Sequence, residues 1–289
     1  MATRQSINLP GLTTACLEAG PADGPLAMVL HGFPDSPDSW SDILDALGDS
    51  GYRAVAPWLR GYAPTQIPAD ELYQGGAYVR DIDRLHQALG ADYRAVLIGH
   101  DIGAAIAYGA AAFDPAKWAR IVTISVPPAT VLAQMMSSYT QLRRSWYTFL
   151  FQHPAAEAIL AADNGVFLDR LWAEWSPGFA HTAAVAAAKR ALPDPAHLTA
   201  ALGWYRAGFH PELNDPGLIA EQQTLAATPT QPWLYLHGEH DQCVGAEAAE
   251  ATAHSTVITG AGHFPHLEQP EAFRRHLMEF ISAGSVAAP

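Results

Sequence analysis

Short apolar runs recur along the chain, each closed by turn residues: Leu26–Leu30, Arg53–Ala56, Ala95–Ile98, Ile121–Val126, Trp233–Leu236 and Ser255–Ile258. They lack the polar alternation of a half-exposed strand, and continuous runs of this length suit strands buried on both faces of a parallel sheet. Helix-like segments lie between them. Ala77–Leu89 sets Val79, Ile82, Leu85 and Leu89 on one face, and Pro270–Ile281 opens on proline and turns Phe273, Leu277 and Phe280 inward. Ser39–Leu47, Ala104–Phe113 and Glu247–Ala253 complete the set. Alternation of this kind predicts right-handed βαβ units and a parallel sheet.

The rhythm stops between about Ala129 and Gln231. That stretch is rich in alanine and tryptophan, carries no strand-like run, and is broken by Pro154, Pro177, Pro193, Pro211 and Pro216. It lies between two predicted strands, so it reads as a helical cap over the sheet and not as a separate helical domain. The division is therefore a core of residues 1–128 and 230–289, with a cap of 129–229.

Composition narrows the function classes. Apolar residues make up 49% and charged residues 16%, which supplies a sizeable core and excludes general disorder. Fraying is expected at the first few residues and in the tail after Phe280. A net charge of -13 excludes nucleic acid and anionic membranes as partners. Cys16 and Cys243 give no disulfide framework and point to a reducing compartment. The segment MATRQSINLPGL lacks the apolar core of a signal peptide, and the most apolar stretch, Ile102–Phe113, is too short to span a bilayer. The expectation is a soluble, cytoplasmic protein.

Gly99-His100-Asp101-Ile102-Gly103 sits between a strand and a small-residue helix. That is the layout of a nucleophile elbow, a sharp turn whose flanking glycines avoid collision with neighbouring backbone. The nucleophile position holds Asp101, and no Gly-x-Ser-x-Gly occurs in the chain. A helix N-terminus beside it favours the ionised carboxylate.

With this elbow the chain resembles the aspartate-nucleophile branch of the α/β-hydrolase family: epoxide hydrolases, haloalkane dehalogenases and fluoroacetate dehalogenases. The resemblance runs from the first strand to the last helix. It implies an α/β-hydrolase fold, with a mostly parallel sheet and a helical cap inserted after the sixth strand. The family order of nucleophile, acid, histidine fits Asp101, Asp241 after the strand WLYL, and His263 in Gly260-Ala261-Gly262-His263-Phe264. Glu239 is the rival acid and His266 the rival histidine, while His100 reads as a structural neighbour. His237, His240 and Asp241 also admit a reading as metal ligands, but no further cluster has ligand spacing, so no metal and no cofactor are expected. His31-Gly32-Phe33-Pro34 resembles the family's HGxP motif. It implies an oxyanion hole from the Phe33 and Ile102 N–H groups and a cis bond before Pro34.

The leaving group separates the branches. An epoxide oxygen needs a proton from an acid that is neutral at pH 7, which tyrosine provides; a halide needs N–H donors alone. Gly203-Trp204-Tyr205-Arg206 resembles the element carrying one ring-opening tyrosine of epoxide hydrolases, at Tyr205. Ser145-Trp146-Tyr147-Thr148-Phe149 resembles the helix carrying the other, at Tyr147. Without the resemblance, aromatics in an alanine-rich helical region read as packing. Tyr62, Tyr73 and Tyr139 have no assigned role. The chain departs from the branch at Ile102, where epoxide hydrolases and haloalkane dehalogenases often carry tryptophan and fluoroacetate dehalogenases an arginine. It also has Trp146-Tyr147 where the latter carry His-Trp.

The resemblance thus implies an epoxide hydrolase acting on a small-molecule epoxide. A dehalogenase of the same mechanism is the alternative, and a non-catalytic ligand receptor a third reading. Trp40, Phe33, Trp146, Phe149 and Trp175 are expected to line the pocket.

Overall fold

The computed structural model describes residues 1–283. One sheet is built from β1 (Thr3–Leu9), β2 (Leu12–Ala19), β3 (Leu26–Leu30), β4 (Arg53–Pro57), β5 (Ala95–His100), β6 (Trp118–Ile124), β7 (Trp233–Gly238) and β8 (Ser255–Ile258). Their order in space is β1-β2-β4-β3-β5-β6-β7-β8. β1–β2 and β2–β4 pair antiparallel, and every other neighbouring pair is parallel. β3 and β5 at the centre are buried along their whole length, which is why they read as uninterrupted apolar runs.

The β1–β2 hairpin is a correction to the expected fraying of the first residues. β1 is a sheet edge with Thr3–Ser6 exposed, so it has no apolar face for the pattern to reveal. What holds it is backbone pairing with β2 around a turn in which Gly11 takes φ +80°. β6 starts three residues before the expected run and stops at Ile124, because Ser125 turns the chain at φ +64°.

Core helices are α1 (Ser41–Asp49), α2 (Gly75–Ala88) and α3 (Ile102–Phe113). The stretch between β6 and β7 forms α4 (Ala129–Met135), α5 (Tyr139–Arg144), α6 (Trp146–Leu150), α7 (Ala156–Trp175), α8 (Thr182–Ala191), α9 (Pro195–Phe209) and α10 (Ile219–Thr224). α7 is broken at 162–165, where Asp163, Asn164 and Gly165 take φ of 50°, 57° and 70°. α10 packs on α2 and α3, so the end of the insertion has already rejoined the helical layer beside the sheet. The chain ends in α11 (Glu247–Ala251), α12 (Pro265–Glu268) and α13 (Pro270–Ser282). α13 carries the chain past Phe280, so the expected fraying does not begin there. Its third buried residue is Ile281, not Phe280, and residues 284–289 of the expected tail lie outside the described residues.

Specific polar contacts seat the insertion on the loops that follow the strands. Trp172 Nε1 donates to Pro34 O at 2.8 Å, and its ring stacks on Phe264 at 3.6 Å. Gln141 Nε2 donates to Cys243 O at 2.9 Å and its Oε1 accepts from Gly245 N at 3.1 Å. Among the described residues, no helix is long and apolar enough to cross a membrane.

Candidate active site

β5 delivers Asp101 at the sheet's carboxyl edge, and Asp101 is the residue preceding α3. Its backbone takes φ 54°, ψ −121°, a conformation that costs on the order of 1–3 kcal/mol and persists only where packing enforces it. The enforcement is steric. A Cβ on Gly99 would lie 2.1 Å from Gly103 O, and one on Gly103 would lie 2.4 Å from Leu30 O, so β5, α3 and β3 close on each other. The turn projects the carboxylate into a buried space where Phe33 N donates to Oδ1 at 2.9 Å. Gly32 makes that approach possible, since a Cβ there would lie 2.3 Å from the Cβ of Asp101. The Phe33–Pro34 bond is cis.

His263, fully buried between β8 and α12, faces the other oxygen. Its Nε2 is 3.6 Å from Asp101 Oδ2 and its Nδ1 2.9 Å from Asp241 Oδ2. Asp241 Oδ1 accepts from Cys243 N at 2.7 Å and Val244 N at 3.0 Å, which fixes which oxygen meets the imidazole. Glu239, the rival acid, instead accepts from Gly260 N at 2.9 Å. His266 lies in the layer behind, stacked on Trp40 at 3.9 Å. His100 Nε2 donates to His263 O at 2.8 Å, as does Ser125 Oγ.

Electrostatics follow from burial against these pairings. Burial pushes the Asp101 carboxyl up, but His263, His100 and the Phe33 N–H outweigh it, and the net displacement is below the usual range. Burial alone would push His263 down, yet the carboxylates beside it hold it well above its ordinary value. His100, by contrast, is lowered to about 3 by burial and by His263, and is neutral at pH 7.

Both tyrosines reach this space. Tyr147 on α6 is buried and its hydroxyl lies 3.3 Å from Cys243 Sγ. Tyr205 on α9 packs edge-on against Phe33 at 5.5 Å and Tyr147 at 6.1 Å. Burial first, and Asp101 among the neighbouring charges, holds both phenols well above their ordinary values, so each keeps its proton at pH 7. Successive helix residues point about 100° apart, so their neighbours go elsewhere. Trp204 packs on Tyr78, and Arg206 pairs with both oxygens of Glu157 on α7.

The expected pocket liners divide. Phe33 and Trp175 are here, with the Trp175 ring 5.1 Å from His263 and 5.0 Å from Tyr147. Trp40 is a correction: it is fully buried behind His263, between His266 and Phe273. Trp146 and Phe149 flank Tyr147 on α6 and turn outward, 39% and 48% exposed, against Phe167 and Phe209. Ile102 is buried next to Asp101.

Three contributors had no role in the sequence reading. Ser176 Oγ accepts from His263 N at 3.0 Å and donates to Glu268 Oε1 at 2.7 Å. Glu268 also accepts from Gly262 N and Phe264 N, and so holds the histidine loop from both sides. Cys243 stands beside Tyr147. Spacing carries no trace of the Ser176 and Cys243 contacts, because they join the insertion to the far end of the chain.

Residues 25–270 match the model of the alpha/beta hydrolase fold family, and the chain belongs to that family. It is 30% identical to the AB hydrolase superfamily protein YfhM of Bacillus subtilis, over 96% of this chain and 97% of that one. It is 28% identical to epoxide hydrolase A of Mycobacterium tuberculosis, over 97% of each chain. The solved structure of epoxide hydrolase VrEH1 from Vigna radiata superposes with a TM-score of 0.77 at 26% identity, covering 98% of both chains.

Proposed function

We propose that the protein is an epoxide hydrolase that converts a small-molecule epoxide to a vicinal diol, with the insertion as its cap. The observation that carries this reading is the convergence of two protonated tyrosines, Tyr147 buried and Tyr205 partly buried, on the space in front of an elbow carboxylate. In the first step an Asp101 oxygen attacks an epoxide carbon, the carbon–oxygen bond breaks, and the leaving oxygen takes a proton from Tyr147 or Tyr205. The product is an ester of Asp101. His263, oriented by Asp241, then removes a proton from water, which attacks the ester carbonyl carbon. Negative charge develops on the oxygen that Phe33 N–H addresses, with Ile102 N–H as the second donor; on collapse the departing diol oxygen takes the proton held by His263, and the proton left on the Asp101 carboxyl restores the tyrosine. The relatives named for epoxide hydrolysis support the substrate class. The chemistry is complete without a cofactor. A cytoplasmic setting belongs to the same reading, and the two free cysteines support it.

One observation favours dehalogenation as a second reading. The indole N–H of Trp175 is buried without a partner, close to His263 and Tyr147, and would suit a halide.

The test is His263→Gln exposed to a panel of epoxides, haloalkanes and haloacids, with intact protein mass recorded. Gain of a whole epoxide, mapped to Asp101, is expected. Gain of a halide-bearing compound minus hydrogen halide would replace the reading with dehalogenation. No adduct from any panel member would reopen the receptor reading.

A further inference from the structure

Three ligand-type atoms from three separate loops meet in the buried space beyond the sheet. A carboxylate oxygen of Asp101, the sulfur of Cys243 and a ring nitrogen of His263 all lie within 4.8 Å of one another. We propose that these side chains form a site for one thiophilic divalent cation of the Zn2+ type, and that its occupation is incompatible with catalysis.

The donor set decides the kind of metal. Thiolate and imidazole with a single carboxylate select Zn2+ or Cd2+ over Mg2+ or Ca2+, which want several oxygens. Two anionic ligands neutralise a divalent ion, as a buried site requires. Bonds of about 2.0–2.3 Å in tetrahedral geometry put ligand atoms about 3.3–3.8 Å apart. The 3.6 Å between His263 Nε2 and Asp101 Oδ2 already has that spacing, and the sulfur, within 4.8 Å of both, has to close by about 1.5 Å at most.

The second observation is the state of His263. Its Nε2 is fully buried and has no hydrogen-bond partner, while Nδ1 is bonded to Asp241. A carboxylate behind the imidazole holds Nδ1–H and aims Nε2 at Asp101 and Cys243, so that a cation entering there takes the place of the Nε2 proton, with the ring held as metal-ligating histidines commonly are. Three protein ligands leave the fourth position to water. The histidine-rich segment His237–Asp241, the other candidate ligand set, is arranged otherwise. His240 is exposed, and His237 Nδ1 is engaged by Tyr235 at 2.6 Å.

Chelator-treated protein is titrated with Cd2+, following the ultraviolet thiolate-to-metal absorption, and with Zn2+ by equilibrium dialysis, both without substrate. One ion per chain with a thiolate band is expected. Cys16 is the other cysteine, so C16S keeps the band. C243V loses it, and C243S gives the same result should C243V fail to fold. D101N and H263Q each weaken Zn2+ at least tenfold, and D241N weakens it about 10–100-fold by placing the ring proton on Nε2, the nitrogen that would meet the metal. A band that survives in C243V, no thiolate band in the unmodified protein, or unaltered Zn2+ binding in D101N and H263Q would each overturn the site. Because these arms use no substrate, they stand apart from the epoxide reading. The incompatibility clause rests on that reading and has its own arm: saturating Zn2+ abolishes ester formation on Asp101 and chelator restores it, whereas ester formation at full Zn2+ occupancy would refute it.

Discussion

Under the proposed mechanism, Asp241→Asn isolates the second chemical step. Asp241 Oδ1 is pinned by two backbone donors, Cys243 N and Val244 N, and a side-chain amide nitrogen cannot accept from them. The asparagine oxygen therefore stays at the Oδ1 position and its NH2 faces His263 Nδ1, 2.9 Å away in the parent. Nδ1 must then accept, the ring proton moves to Nε2, and Nε2 can no longer take a proton from water. A base locked in the wrong tautomer loses about 10³–10⁴ in rate, or about 4–5.5 kcal/mol of transition-state stabilisation. Ring opening needs Asp101 and the tyrosines and keeps its rate within about tenfold, a margin of about 1.4 kcal/mol. The assay is rapid mixing with excess epoxide, quenched for intact mass: the Asp101 ester should accumulate to near stoichiometry and decay slowly. Ester breakdown within threefold of the parent would refute the tautomer argument, and failure of the ester to form would refute the division of labour between the two steps.

Further expectations follow from the same geometry. Tyr147→Phe and Tyr205→Phe each slow ring opening about 10²-fold, and together about 10⁴-fold, while decay of a preformed ester is unchanged; full ring opening in the double variant, measured by single-turnover mixing, would remove both from the mechanism. Gly99→Ala, with its new Cβ 2.1 Å from Gly103 O, costs at least about 3 kcal/mol or prevents folding, against less than about 0.5 kcal/mol for substitution at the open, exposed Gly208; urea unfolding of both decides it. His31 and His100 are depressed by burial to about 4 and about 3. The unfolded chain binds their protons first, so their stabilising contribution is complete above about pH 6.5 and is lost as pH falls toward those values. His100→Gln keeps a donor toward His263 O but does not titrate; it should flatten the acid loss of stability between pH 6 and 4, and an unaltered pH slope would show that the histidine is not responsible.

What the chain itself determined is local. Fully buried strands leave continuous apolar runs, an elbow leaves two glycines around its nucleophile, and a strand-end loop leaves His-Gly-Phe-Pro. Each depends on residues within a few positions of one another, so Asp101, Asp241, His263, Tyr147 and Tyr205 could all be picked out from their neighbours and from a resemblance. The tertiary structure decided what local pattern does not encode. The β1–β2 hairpin is a polar edge held by backbone pairing, and polar edges have no periodicity to read. Helical phase sent Tyr147 inward while turning Trp146 and Phe149 out, and it needed a packed partner surface to set it. Trp40, an equally apolar candidate, was placed behind His263 by its stack on His266. Glu239 and Asp241 differ by two positions in sequence, yet one meets Gly260 and the other His263, because the loop after β7 turns between them. Cys243, Ser176 and Glu268 entered the site through contacts between the insertion and the last third of the chain, and such contacts exist only once the sheet has brought its strand ends together.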